Sequence, residues 1–281
     1  MPAPKFIAVL PTLLTLGNAV CGFGAITFAA KLGPIGAEGP TPDTIPFICA
    51  LLVFAAMLFD MLDGSAARLT RQTSELGAQL DSLCDGVSFG VAPAFLMLQF
   101  VNSPQLAERG LNWHPRLLWT IAVLYALCAL LRLARFNVET DDEDSHDEFS
   151  GLPSPAAAGT VVAFPFAMSE LLGWSKNGTP FERSVADWLI PTVRTILPLI
   201  TLAVAMLMVS RIRYAHVFNQ FLRGPKTRRH VIQLVFAAAV IFWTHEVAAP
   251  LIFCWFALMP PLTSAWREMT TRYWSRRAEQ T

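Results

Sequence analysis

The feature that most constrains this chain is a series of apolar runs near 6–30, 46–62, 86–101, 117–138, 153–173 and 189–209. About 20 apolar residues span a bilayer as a helix. Lipid offers no partner for backbone N–H and C=O groups, so a spanning segment must be helical or part of a closed barrel. The third run looks short only if it starts at Gly86, because Gly77 to Cys84 can extend it as a helix. A further block, 231–262, is long for one span and is interrupted by His245, Glu246 and Pro250, so two short helices fit it better. The pattern predicts an all-α, polytopic transmembrane helix bundle of about eight spans. The first run, ending near Ala30, is too long for the apolar core of a signal peptide and is read as a retained span.

Charge placement orients the bundle, since short loops rich in Lys and Arg stay in the cytoplasm. Arg68 and Arg71 follow the second run, Arg132 and Arg135 close the fourth, six basic residues lie between Arg211 and Arg229, and a basic tail runs from Arg267 to Arg277. These segments share one side, with Lys5, only if 231–262 crosses twice. The expected location is the inner (plasma) membrane, multi-pass. The net charge of +0 argues against a nucleic-acid partner, which needs a cationic excess. Cys21, Cys49, Cys84, Cys128 and Cys254 are scattered through apolar segments without zinc-site spacing and are read as buried thiols. An acidic loop, Asp141, Asp142, Glu143, Asp144, Asp147 and Glu148 around His146, reads first as a solvated loop and second as a place for metal capture or partner docking.

The chemistry concentrates where the second run ends and the third begins. Asp60, Asp63, Gly64 and Ala67 fall on one helical face, and Gly77, Asp81, Asp85 and Ser88 fall on one face of the next helix. Ionised carboxylates at membrane depth are expensive, and four together repel. A pair of hard divalent cations, Mg²⁺ or Mn²⁺, compensates them and accepts substrate phosphate as well. Gly64 and Gly77 leave room for a headgroup near the backbone, and Arg68 offers a planar cation suited to phosphate. The alternative, interfacial ion pairs of single Asp residues with Arg68 or Arg71, does not account for four carboxylates at this spacing.

The run Asp60-x-x-Asp63-Gly64-x-x-Ala67-Arg68, eight residues, then Gly77-x-x-x-Asp81-x-x-x-Asp85, resembles the full signature of the CDP-alcohol phosphotransferase family. The resemblance implies that Asp60, Asp63 and Asp81 ligate two metal ions, with Asp85 as a further ligand and general base. It also implies that Gly64, Ala67, Arg68 and Gly77 line the CDP site. Three further stretches resemble the membrane-embedded branch of that family that makes phosphatidylserine. They are Leu10 to Asn18 with Cys21-Gly22, Arg132 to Asn137 with Phe149 to Ala158, and Ser210 to Tyr214. In the first, Thr15 and Asn18 are the candidate contacts to CDP-diacylglycerol. In the second, Arg132, Arg135 and Asn137 are candidates for the serine carboxylate or the lipid phosphate, or else anchors at a helix end. Pro153 and Pro155 are assigned to opening a helix, and His245 with Glu246 to a polar pair between helices.

The resemblance covers residues 6–215, which sets 1–215 as the catalytic transmembrane domain and 216–281 as two further spans and a basic cytoplasmic tail. It implies CDP-diacylglycerol and L-serine as substrates, a site facing the cytoplasm, and a homodimer. Glycerol 3-phosphate or an inositol phosphate is the alternative acceptor. An aspartate-rich prenyltransferase would lack the Gly-x-x-Ala-Arg tail, and a cation transporter would spread its acids along a pathway.

Overall fold

The structure is a computed structural model that describes residues 5–32, 44–70, 75–104, 106, 109–141, 151–212, 214 and 247–278. Side chains at 5–10, 67–70, 139–141 and 264–278 are outside that description. The helices are α1 (Lys5–Ala29), α2 (Ile45–Thr70), α3 (Glu75–Asp85), α4 (Ala92–Val101), α5 (Pro115–Asp141), α6 (Ser154–Asn177), α7 (Pro180–Val209) and α8 (Ala248–Ala278). A π-helical turn, Gly86–Val91, joins α3 to α4, so the two form one span over Glu75–Val101. Six helices are long and apolar enough to cross a membrane, a shorter apolar helix covers Ala248–Thr263, and no strand occurs among the described residues. The chain is an all-α bundle of membrane-spanning helices, and Gly77 to Cys84 does extend the third span as the sequence predicts.

Two spans form the centre. In Glu75–Val101 and Ser154–Asn177 72% of the apolar window is buried, against 28% to 39% in the other four. α1 packs along α2, α6 contacts α2 and α7, and α5 lies against α7 and the π turn. Prolines inside α1 (Pro11), α6 (Pro165) and α7 (Pro191, Pro198) interrupt the backbone ladder without ending these helices, as membrane helices tolerate. Pro153 and Pro155 do open α6. α6 and α7 meet in a tight turn closed by a capping box, in which Thr179 N–H donates to Glu182 (2.6 Å) and Glu182 N–H to Thr179 Oγ1 (3.4 Å).

Of the two crossings expected within 231–262, the first falls outside the described residues, as do His245, Glu246 and loop positions 142–148. The second differs from expectation. α8 passes through Pro260 and Pro261 and continues to Ala278, so the basic tail extends the helix. Its apolar part docks on α2 and α6, where Phe253 stacks on Phe54 at 5.7 Å, Phe54 meets Phe166 edge-on, and a Cβ at Gly159 would strike the Phe253 ring. Tyr214 O–H donates to the Ala257 carbonyl at 2.9 Å. The five cysteines are free; Cys49 and Cys84 are buried and the other three half-buried.

Arg194, in the middle of α7 and 5% exposed, secures the end of the bundle away from the acidic residues. Its guanidinium donates to the carbonyls of Val101 (3.3 Å) and Arg109 (2.7 Å) and to Asn112 Oδ1 (3.2 Å), tying the last turn of α4 and the following loop to α7. Gly110 sits beside it at φ +83°, where a Cβ would press on the Pro191 carbonyl. Arg194→Ala removes three donations from a cation, and the expected loss is about 2–4 kcal/mol of stability. Thermal unfolding in detergent, with proteolysis of the loop 102–114, measures it. Arg194→Lys restores little, because a point charge cannot reach three acceptors spread about a planar fork.

Candidate functional site

Asp60 and Asp63 lie one turn apart near the end of α2, and Asp81 and Asp85 lie one turn apart on α3. Carboxylate oxygens of Asp60, Asp63 and Asp81 all fall within 4.8 Å of one another. Asp63 is 5% exposed and Asp85 9%, while Asp60 and Asp81 are half-buried. Asp85 stands outside the tight trio but feels the charge of all three. The two acidic faces read from helical spacing therefore do meet.

α1 supplies the third wall. Thr15 Oγ1 lies 2.9 Å from Asp63 Oδ2 and 3.0 Å from the Pro11 carbonyl, so one hydroxyl proton faces two acceptors and the charged one is the stronger. Asn18 Nδ2 donates to Asp85 Oδ1 at 2.8 Å. Thr15 and Asn18, expected as substrate contacts, thus hold two of the four carboxylates. Sequence reading missed what brings α1 so close. Ser88 O–H donates to the Asn18 carbonyl at 2.9 Å, and a Cβ built on Gly22 would meet Ser88 Cα at 2.7 Å. Gly22 lies one turn after Asn18, and Ser88 one turn after Asp85, so the bare glycine sets the distance at which Asn18 reaches Asp85. The π turn starts immediately after Asp85. Such turns displace the backbone ladder, and the buried Tyr125 hydroxyl donates to the Phe89 carbonyl within it at 3.1 Å.

The remaining expected residues divide. Gly64 opens to free space, with nothing within 4 Å of where a Cβ would stand. Gly77 lies on the same α3 face one turn before Asp81. The side chains of Ala67 and Arg68 are outside the description. Arg132 approaches the cluster and feels the Asp85 charge, and its Nη1 donates to Ser154 Oγ at 2.7 Å. Asn137 is bonded to Ser82 (Nδ2 to Oγ 2.9 Å), beside Asp81, and Arg135 is exposed. Ser82, Ser154 and Tyr125 carried no signal of their own in a single sequence, and Gly22 stood out only as part of a resembling stretch, because each acts by touching a helix distant in the chain.

The donor set fits a hard cation. All its atoms are carboxylate oxygens, the ligand type that Mg²⁺ and Mn²⁺ prefer. Among the described residues Asp81 Oδ1 is buried without a hydrogen-bond partner.

Comparison with known proteins places the chain in a family. The family model for CDP-alcohol phosphatidyltransferase matches residues 8–207. A CDP-diacylglycerol–serine O-phosphatidyltransferase of Mycobacterium tuberculosis is 33% identical over 177 residues, covering 61% of this chain and 54% of its own length. One from Helicobacter pylori is 35% identical over 155 residues (55% and 56%), and one from Bacillus subtilis 31% over 163 residues (58% and 78%). The chain spans about half the length of the Mycobacterium and Helicobacter relatives.

Gly22→Ala is expected to push α1 off the third span and lower stability by about 1–3 kcal/mol, with loss of activity. Gly64→Ala, in open space on a helix, unfolds at the same or a higher temperature. Thermal unfolding of the two variants side by side in detergent measures the contrast.

Proposed function

The chain belongs to the CDP-alcohol phosphatidyltransferase family, and on that premise we propose that it transfers the phosphatidyl group of CDP-diacylglycerol to L-serine, giving phosphatidylserine and CMP. The observation that carries the reading is the convergence of Asp60, Asp63 and Asp81 from two helices, with Asp85 beside them. The names of the relatives support serine as acceptor.

Asp60, Asp63 and Asp81, with Asp85, would hold one or two divalent ions, Mg²⁺ or Mn²⁺. Bound there, the ions would neutralise the diphosphate and stabilise departing CMP. Gly64, Ala67, Arg68 and Gly77 line the nucleotide end of the donor. Thr15 and Asn18 add to this by fixing the carboxylates, and either can still meet the donor. Asp85 Oδ1 is committed to Asn18, so Oδ2 is the atom that takes the proton from the serine hydroxyl. The serine oxygen bonds to the lipid-side phosphorus as the phosphorus–oxygen bond to CMP breaks. Arg132, with Arg135 and Asn137 nearby, binds the serine carboxylate or the lipid phosphate. Arg68 near the end of α2 and Arg71 just after it, Arg132 and Arg135 in the C-terminal half of α5 and Arg211 after α7 support a site on the cytoplasmic face of the inner membrane. Residues 1–215 would be the catalytic unit, 216–281 two further spans with a basic tail, and the working form a homodimer.

Purified protein with CDP-diacylglycerol is expected to release CMP with serine and not with glycerol 3-phosphate or an inositol phosphate, and EDTA is expected to stop the release. Product formation with glycerol 3-phosphate alone would overturn the choice of acceptor. Asp85→Asn is expected to lower kcat by about 100-fold or more. Wild-type turnover in that variant would remove Asp85 as the base.

A further inference from the structure

Resting on the reading of Arg132 as an acceptor contact, we propose that Ser154 is a positioning residue that fixes the Arg132 guanidinium for the carboxylate of the acceptor. A guanidinium carries its five N–H donors in one rigid plane, so a bond at one corner sets the direction of the rest. Arg132 spends Nη1 on Ser154 Oγ at 2.7 Å, and Ser154 is fully buried. Among the described residues Nε is buried and has no hydrogen-bond partner. A cationic N–H buried beside the acidic cluster, with no acceptor of its own, is what a planar carboxylate satisfies by bridging two adjacent donors.

Ser154 is itself held from a distance. Gly151 and Leu152 run as a short strap across the end of α7, with Gly151 N–H donating to the Ile212 carbonyl at 2.9 Å and Leu152 N–H to the Leu207 carbonyl at 3.1 Å. Gly151 takes φ +94°, and a Cβ there would overlap the Met208 carbonyl, so only glycine lets the strap lie this close. Two residues on, Pro153 caps α6 and Ser154 is its first residue. The end of α7, the strap and the start of α6 thus transmit one position to Arg132. Three stretches far apart in sequence, 132–137, 151–155 and 207–212, serve a single guanidinium.

The test is steady-state kinetics of the full chain in mixed micelles, varying serine at saturating CDP-diacylglycerol and the reverse. Ser154→Ala is expected to raise the KM for serine about tenfold while changing the KM for CDP-diacylglycerol less than about twofold. Arg132→Ala raises the serine KM at least as much, and adding Ser154→Ala to it produces no further rise, because the hydroxyl acts only through the guanidinium. A selective rise in Arg132→Ala with an unchanged serine KM in Ser154→Ala would sink the role of Ser154 alone. An unchanged serine KM in Arg132→Ala would sink the acceptor reading and this inference with it. Equal rises in both KM values for Ser154→Ala, or additive effects in the double variant, would mark a general packing defect and also overturn the proposal.

Discussion

Four carboxylates share one end of two neighbouring helices, and the rest of the bundle is organised around keeping them there. Within 4.8 Å of one another and at an effective dielectric of about 20, charged Asp60, Asp63 and Asp81 would repel pairwise by roughly 3 kcal/mol or more. Helix packing must supply what offsets this, and it does so through α1. The backbone approach at Gly22 and Ser88 brings Asn18 to Asp85 and keeps Thr15 on Asp63. Those donors orient the carboxylates without neutralising them. The residual negative field is the property that a dication and a diphosphate ester require.

The opposite end solves a different problem with opposite means. There, a single buried arginine satisfies backbone carbonyls where α4 stops and a loop begins, and the described contacts are neutral acceptors. A rigid cation closes the fold at one end, while a cluster of anions is left open at the other. The π turn lies between, immediately after Asp85, and lets the third span carry an active face at its start and an ordinary apolar helix from Ala92 onward.

Much of this was legible from residue spacing. Asp60 and Asp63, and Asp81 and Asp85, are close along the helix, so their shared faces follow from 3.6-residue periodicity alone. The span limits likewise follow from apolar length. What could not be read is any contact whose partners lie far apart in sequence. Asn18 was read as a contact to the donor substrate, and its bond to Asp85 depends on the close helix approach that Gly22 allows by lacking a side chain. Arg194, in the middle of α7, bonds to carbonyls 85 to 93 residues away in sequence. Ser154 was an unremarked position between two prolines. The length of α8 was hidden for a different reason: proline pairs usually end helices, and Pro260-Pro261 does not end this one.

The same physics explains why inward faces were hard to infer. In water, the most apolar helix belongs at the centre. In this bundle the two most buried spans, Glu75–Val101 and Ser154–Asn177, are the least apolar of the six. Lipid rewards apolar surface on the outside, so a helix gains little by turning leucine inward, and association depends on small residues and satisfied polar groups. Ala157, Ala158 and Gly159 on α6, and Gly86, Ser88 and Gly90 on the third span, are such residues, and all six are buried. Polar residues that would weaken a soluble core are here the cohesive element. The acidic cluster therefore sits on the most interior span because that is where a membrane protein can best afford polarity and hold it still.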